Sequence, residues 1–425
     1  MNNIVLPFFL FLNFANLAYS QENDIKFQIG ERKSITSTIL QEEREFQVYL
    51  PPSYFFNTKG NFPVVYVMDG DYNFHYDTGL IELLSSVSGK IPEMIVVGIS
   101  DKGKTKYRKN CTPDYIPKRE GNASNFMLFI ENELKPYIHK NFRASDYKIL
   151  IGHSIGGLFV ANYFLQNPTA FDSYIAIDPA LWPGNYEIMN QADTILKDKK
   201  KLDSNLFISL ADTKQMGVRQ FVGILDKYFP NGDRWNFMHF ENENHNSVGL
   251  MTIKESLESI FENWEITRSD FYSFKSAQQI IDHYSQLSND FSSSFTIPSY
   301  FLGNAIYYYY NHKKEDDLAI LESEIKSKLP GSIDEFYLQM ALNHFENEQY
   351  DKALEIYTNR ITDNPLSFSS YEGKSKIYLK QGQLEKALEM SKTSIKIAKK
   401  CHVRQWMMNE LYSNLDTIKS KIEKQ

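Results

Sequence analysis

The stretch Tyr147–Gly157, YKILIGHSIGG, admits few folds. An apolar run, Ile149–Ile151, meets a turn of small residues, and the amphipathic stretch Leu158–Gln166 follows at once. This reads as strand, sharp turn and helix. The turn carries a G-x-S-x-G pattern, Gly152-His153-Ser154-Ile155-Gly156. A serine at the tip of such a turn is held in strained backbone geometry, and side chains two positions to either side would collide across it. The expected result is an exposed Ser154 hydroxyl at a helix N-terminus. There the helix dipole and the free N–H groups favour a developing oxyanion.

The rest of the first half agrees with a sheet that can hold such a turn. Lys33–Leu40 and Arg44–Leu50 read as an antiparallel hairpin at a sheet edge. Phe62–Met68 (FPVVYVM) and Met94–Ser100 (MIVVGIS) are continuous apolar runs, the pattern of strands buried on both faces. Tyr174–Ile177, Asn205–Ala211 and Trp235–Phe240 are further strands. Helices are expected over Tyr76–Ser86, Ser124–Phe142, Gly217–Tyr228 and Ile253–Phe261, with a Trp-bearing loop at Asp178–Asn185. Strands alternating with helices of this length imply an α/β fold: a mostly parallel sheet with helices on both faces. Catalytic groups then belong on loops at the carboxyl ends of strands. Asp69-Gly70-Asp71, Ser154 and Asp212 lie at three such ends.

From about Arg268 the strand-like runs vanish and the chain turns helical, rich in Tyr, Lys and Glu. Gln349–Glu355 (QYDKALE) recurs as Gln383–Glu389 (QLEKALE), a spacing of 34 residues. The spacing and the small residues Ala341, Ala353 and Ala387 resemble tetratricopeptide repeats, with Ala319 marking a degenerate unit upstream. The expected organisation is therefore a leader over 1–20, a sheet domain over 21–267 and an all-α helical-repeat domain over 268–425.

Met1–Ser20 is apolar and uncharged, and Ala18-Tyr19-Ser20 places small residues where a signal peptidase reads. We expect a cleaved secretory signal and an exported protein, although the n-region has no Lys or Arg; an uncleaved anchor is the alternative. Of the 425 residues 42% are hydrophobic, enough for a large core. A net charge of −7 with no basic block leaves nucleic-acid binding without an electrostatic footprint. The two cysteines, Cys111 and Cys401, fall in different domains, and no cluster has metal-ligand spacing. No metal or cofactor is expected.

A serine hydroxyl is a poor nucleophile at neutral pH and needs a base, usually oriented by a carboxylate. His239 falls inside the last strand. His245 falls in the loop just after it, from which a base can reach the serine. For the acid, Asp212 sits at a strand end and Glu243 is the competitor; a Ser-His dyad is the third option. The amide of Ile155 and the backbone of Asp71 are the expected oxyanion donors, and the Asp71 side chain is a candidate helix N-cap. His75 and Arg108, in loops leaving strand ends, either line the cleft or are solvated. Trp182 is either core or an apolar wall for an acyl or aryl group.

In sequence order, REFQVYLPPSY, VVYVMDGD, IGHSIGG, IDPALW and ENENHNSV resemble the putative-esterase family of α/β-hydrolases over about residues 30–265. That family takes in feruloyl esterases, siderophore esterases, S-formylglutathione hydrolase and mycolyltransferases. The resemblance implies an α/β-hydrolase fold, Ser154 as nucleophile, His245 as base, an oxyanion hole at Ile155 and Asp71, and a small-molecule ester substrate. It leaves the acid position unmatched. The expected activity is that of an exported serine esterase. The alternatives are acyl transfer through the same acyl-enzyme, or a scaffold whose helical tail is the functional part. The tail is expected to pack on the hydrolase domain and shape its cleft, or to contact a protein partner or a second copy.

Overall fold

The computed structural model describes residues 28–424 apart from residues 231, 268, 269, 272, 273 and 275. The Met1–Ser20 segment read as a secretory signal lies outside the described residues. Eight strands form one sheet: β1 Glu31–Ser37, β2 Glu42–Tyr49, β3 Phe62–Met68, β4 Ile95–Ile99, β5 Ala144–His153, β6 Ser173–Ile177, β7 Asn205–Ala211 and β8 Trp235–Phe240, in the order β1-β2-β4-β3-β5-β6-β7-β8. The β1–β2 hairpin joins antiparallel through β2 to β4, and every other pairing is parallel.

The continuous apolar runs are explained by burial on two faces. In β3 every residue is buried. Phe62, Val64, Tyr66 and Met68 enter one core, and Val65 and Val67 enter the other. This is the period-two alternation of a strand with both sides covered. Helices α1 Gly70–Glu82 and α8 Val248–Ile260 cover one face. The other face carries α2 Lys104–Cys111, α3 Ala123–Phe129, α4 Lys135–Asn141, α5 Ile155–Gln166, α6 Pro183–Leu196 and α7 Val218–Tyr228. The expected Ser124–Phe142 helix is α3 and α4 joined through a π-helical turn, Ile130–Leu134.

Two local expectations are corrected. The helix expected from Tyr76 begins at Gly70, because Asp69 turns the chain with φ of 57° directly off β3. A Cβ on Gly70 would lie 2.5 Å from the Gly98 carbonyl carbon, so the turn can press against β4 only with glycine there. His75 therefore lies on α1 and Arg108 on α2, a helix not anticipated; neither is in a loop, and both side chains are exposed.

Past Ile260 every regular element among the described residues is helical. The helices are α9 Ala277–Asp290, α10 Ser299–Asn311, α11 Glu315–Lys328, α12 Ile333–Glu346, α13 Tyr350–Asp363, α14 Phe368–Lys380, α15 Leu384–Lys400 and α16 Gln405–Ile422. Ala353 on α13 and Ala387 on α15 are fully buried, so the 34-residue spacing places equivalent small residues in successive helical hairpins. A Cβ on Gly373 would come within 2.2 Å of the buried Tyr357 ring, which lets α14 close on α13. Ala319 departs from the pattern: it is exposed on α11, where Leu321 and Ile325 turn inward instead.

The helical region is not a separate appendage. Trp264, Tyr284, Phe295 and Phe301 share one continuous core with the sheet residues Tyr147, Ile149 and Val65. The Phe291 ring meets Tyr147 edge-on at 4.8 Å. At roughly 1.5–3 kcal/mol per fully buried large apolar side chain, this cluster outweighs the peripheral polar contacts. Those contacts include Ser294 N–H to Asn61 Oδ1 at 2.6 Å and Arg404 to Glu82 at 2.8 Å. Cys111 and Cys401 are both buried free thiols. Among the described residues no helix is long and apolar enough to cross a membrane.

Candidate active site

The parallel sheet brings the turns after β3, β5, β6, β7 and β8 to one edge. Ser154 stands between β5 and α5 with φ 56° and ψ −113°, a conformation that L-residues avoid. The surrounding glycines permit it. A Cβ on Gly152 would lie 2.5 Å from the Gly156 carbonyl oxygen, and one on Gly156 would lie 2.4 Å from the Tyr107 hydroxyl. The strained residue is fastened on both sides: Ser154 N–H donates to Ile177 O at 3.0 Å, and Ala180 N–H donates to Ser154 O at 2.9 Å.

Ser154 Oγ lies 2.9 Å from His245 Nε2, across the gap between the β5 and β8 turns. The other ring nitrogen, His245 Nδ1, lies 2.6 Å from Asp178 Oδ2. A carboxylate can only accept, so Nδ1 carries the proton and Nε2 is free to accept the serine O–H. Asp178 is fully buried at the end of β6. Its second oxygen accepts the Ala211 N–H at 3.3 Å and the Thr213 hydroxyl at 2.9 Å. Its own N–H donates to Ser209 Oγ at 3.2 Å, and Thr252 on α8 donates to the same oxygen at 2.9 Å. Both carboxylate oxygens are thus committed, and the buried charge is compensated by hydrogen bonds.

The acid expected from the sequence is corrected here. Asp212 is exposed, and its N–H donates to Glu243 O at 2.8 Å. The Glu243 carboxylate accepts the Ser247 hydroxyl. Among the described residues, Asp178 is the carboxylate hydrogen-bonded to His245. Its one sequence signal was an Asp directly after an apolar strand, a signal that Asp69 and Asp212 share.

His153 adds a support that the serine motif does not by itself reveal. Its Nε2 donates to the His245 backbone carbonyl at 2.6 Å, and the two rings lie 4.5 Å apart. Burial, helped by the neighbouring His245 ring, pushes His153 down to about 4, so it is neutral at pH 7. An unfolded histidine titrates near 6.5. Between those values the unfolded chain takes up a proton that the folded chain refuses. The stability held by neutral His153 is complete above pH 6.5 and is lost as pH falls to about 4, a change of roughly 3 kcal/mol. His153→Gln keeps an N–H donor but does not titrate. It is expected to flatten the fall in urea-unfolding free energy between pH 6.5 and 4 by about that amount; an unchanged slope would contradict this.

Ile155 opens α5 and Asp71 is the second residue of α1, so both amides belong to first helical turns whose N–H groups lack intrahelical acceptors. Strands β3 and β5 are neighbours, which places the two turns side by side. The Asp71 side chain does not cap the helix; the N-cap position is Asp69. Instead Asp71 ties the turn to the hairpin and β4. It accepts from Arg32 at 2.9 Å, from Gln47 at 2.8 Å, from the Asp101 N–H at 3.2 Å and from the Ser100 hydroxyl. Burial opposes its ionisation, but the Ser100, Arg32 and Gln47 bonds outweigh it and hold the carboxyl below the usual range. Asp69 moves the other way: burial, with Asp101 beside it, pushes it up to about 7.

Trp182 is 39% exposed, with the Arg119 guanidinium 5.0 Å over its ring, so it is not core. Tyr72 beside Asp71, and Leu250 and Met251 on the first turn of α8, are also exposed. Among the described residues, no hydrogen bond or ion pair joins the His75 or Arg108 side chain to Ser154 or His245. Among the described residues no group of three or more His, Cys, Asp or Glu could hold a metal ion.

Residues 37–255, half of the chain, match the sequence profile of the Esterase family, described as putative esterase. Over 245 residues the chain is 24% identical to the ferri-bacillibactin esterase BesA of Bacillus subtilis (strain 168), spanning 51% of this chain and 84% of that protein. An IroE-like serine hydrolase from Shewanella oneidensis superposes with a TM-score of 0.58 at 27% identity, over 70% of this chain and 99% of that one. An uncharacterised protein from Capnocytophaga ochracea, 15% identical with a TM-score of 0.51, covers 92% of this chain and 99% of its own. That last likeness of fold extends through the helical region.

Proposed function

This chain belongs to the putative-esterase family, and from that premise we propose that it hydrolyses carboxylic esters through an acyl-enzyme on Ser154. The observation that carries the proposal is the unbroken relay from Ser154 Oγ to His245 Nε2 at 2.9 Å and from His245 Nδ1 to Asp178 Oδ2 at 2.6 Å. In this reading His245 takes the hydroxyl proton as Oγ bonds to the ester carbonyl carbon. Asp178 holds the imidazole in the required tautomer and stabilises the imidazolium. The oxyanion is met by the Ile155 and Asp71 amides. Collapse breaks the ester C–O bond, and His245 passes its proton to the leaving alcohol. Water, deprotonated by the same ring, then attacks the acyl-enzyme, and the acid departs as Ser154 regains its proton.

The relatives suggest the substrate class. BesA is a ferri-bacillibactin esterase, and we carry the siderophore-ester class over to this chain. Tyr72, Trp182, Leu250 and Met251 are exposed on segments that follow β3, β6 and β8, which suits an aryl-bearing ester, and the Arg119–Trp182 stack offers a cationic aromatic platform. Export rests on the Met1–Ser20 sequence. The test is covalent labelling. A fluorophosphonate is expected to modify Ser154, located by peptide mass spectrometry, and a siderophore ester to compete with it. Labelling at another residue, or none at all, would remove the acyl-enzyme.

A further inference from the structure

Strand order sets a problem for the base. His245 follows β8 and Ser154 follows β5, with β6 and β7 between them. At about 4.8 Å per strand, the loop after β8 must cross roughly 14 Å of the sheet edge to bring the ring to the serine. A surface loop keeps such a position only where bonds fasten it.

The loop is fastened at each strand it crosses. At the β7 turn, Asp212 N–H donates to Glu243 O at 2.8 Å. At the end of β6, Asp178 Oδ2 accepts from the His245 ring at 2.6 Å. At the end of β5, His153 Nε2 donates to the His245 carbonyl at 2.6 Å. The first of these bonds stops short of the base, and the second holds only its ring. Among the described residues, the bond from His153 is the one that holds the His245 backbone. A carbonyl oxygen only accepts, so His153 Nε2 carries a hydrogen. Burial keeps the His153 ring neutral at pH 7, and it stands 4.5 Å from the His245 ring without adding a charge beside it. Two fixed points then set the direction of the base: the backbone through His153 and Nδ1 through Asp178.

We propose that His153 is a positioning residue for the ester reaction: by holding the His245 carbonyl it keeps Nε2 aimed at the Ser154 hydroxyl. The inference rests on the acyl-enzyme reading above. It gives the residue before the nucleophile a task in which it neither binds substrate nor moves a proton. Misplacing a reacting group by about 1 Å can cost on the order of 10²-fold in rate, so the bond acts on kcat and leaves substrate binding alone.

The test uses three variants of the full chain. The glutamine side-chain nitrogen stands as many bonds from Cβ as His Nε2, so His153→Gln can make the same bond. The nitrogen of His153→Asn falls one bond short, and His153→Phe keeps a ring without a donor. Steady-state kinetics on a simple aryl acetate and the rate of fluorophosphonate labelling are measured per folded molecule, with folding read by near-UV circular dichroism. In His153→Phe and His153→Asn both kcat and the labelling rate are expected to fall about tenfold to a hundredfold, with KM within about twofold. His153→Gln is expected to stay within about threefold of the parent protein. A role confined to stability would leave kcat per folded molecule unchanged in all three. A folded His153→Phe with kcat within about twofold of the parent overturns the inference, as does a His153→Gln that falls as far as His153→Phe. If His153→Phe does not fold, His153→Asn decides by the same criterion. Either result beside normal parent turnover strikes this inference alone, whereas a parent protein with neither turnover nor labelling at Ser154 strikes the acyl-enzyme reading and this inference with it.

Discussion

Ser154→Ala is expected to lower ester turnover by about 10⁴-fold or more in kcat, with KM changed little. In the proposed mechanism the hydroxyl is the atom that bonds to the carbonyl carbon, and without it His245 has no nucleophile to deprotonate. The Ile155 and Asp71 amides proposed to meet the oxyanion are untouched by the change, so on the same reading ground-state binding persists. The fold should persist as well. The strain at φ 56° is backbone strain, already accommodated by Gly152 and Gly156, and alanine adds no atom. Steady-state kinetics on a simple aryl acetate and on a siderophore ester would read the effect. Turnover within tenfold of the parent protein would mean that the ester is cleaved without an acyl-enzyme on Ser154.

The second large effect separates three carboxylates. Asp178→Asn is expected to reduce kcat by about 10³- to 10⁴-fold. An amide at that place favours the wrong imidazole tautomer and cannot balance the imidazolium. Asp212→Ala and Glu243→Ala are expected to stay within about threefold, since neither side chain reaches His245. Asp178 is fully buried and also accepts from Ala211 and Thr213, so some loss of stability will accompany the change. Denaturation curves and near-UV circular dichroism separate that loss from the loss of rate. A hundredfold loss in Asp212→Ala with Asp178→Asn near normal would reverse the assignment.

Much of the architecture was legible because burial on two faces leaves a local trace. FPVVYVM and NLFISLA begin and end as strands where their apolar runs do. The meeting of Ser154 and His245 was legible for a related reason. A serine between two glycines declares its own turn, and His245 is the sheet-domain histidine that lies past the last strand. Helix α2 left no such trace. Its segment, KTKYRKNC, is mostly polar and buries only Tyr107, Asn110 and Cys111.

The acid could not be read in this way. Asp69, Asp178 and Asp212 each follow an apolar strand, and nothing within a few residues of any of them says which lies under His245. That depends on strand order and on the path of the loop from β8. In the folded chain the β6 turn sits next to the β5 turn, and the β7 strand lends its Ala211 N–H and the Thr213 hydroxyl to Asp178. Meanwhile Asp212 points out to solvent. The sequence by itself therefore determined the strands of the sheet, the serine turn and the change to helices near Arg268, because each is written in contiguous residues. Only the tertiary structure decided the partner of His245, the clasp of His153 on its carbonyl and the core that the sheet shares with the helices. Each of these is a distance between residues far apart in the chain, set by how the strands are ordered and how the helical region docks.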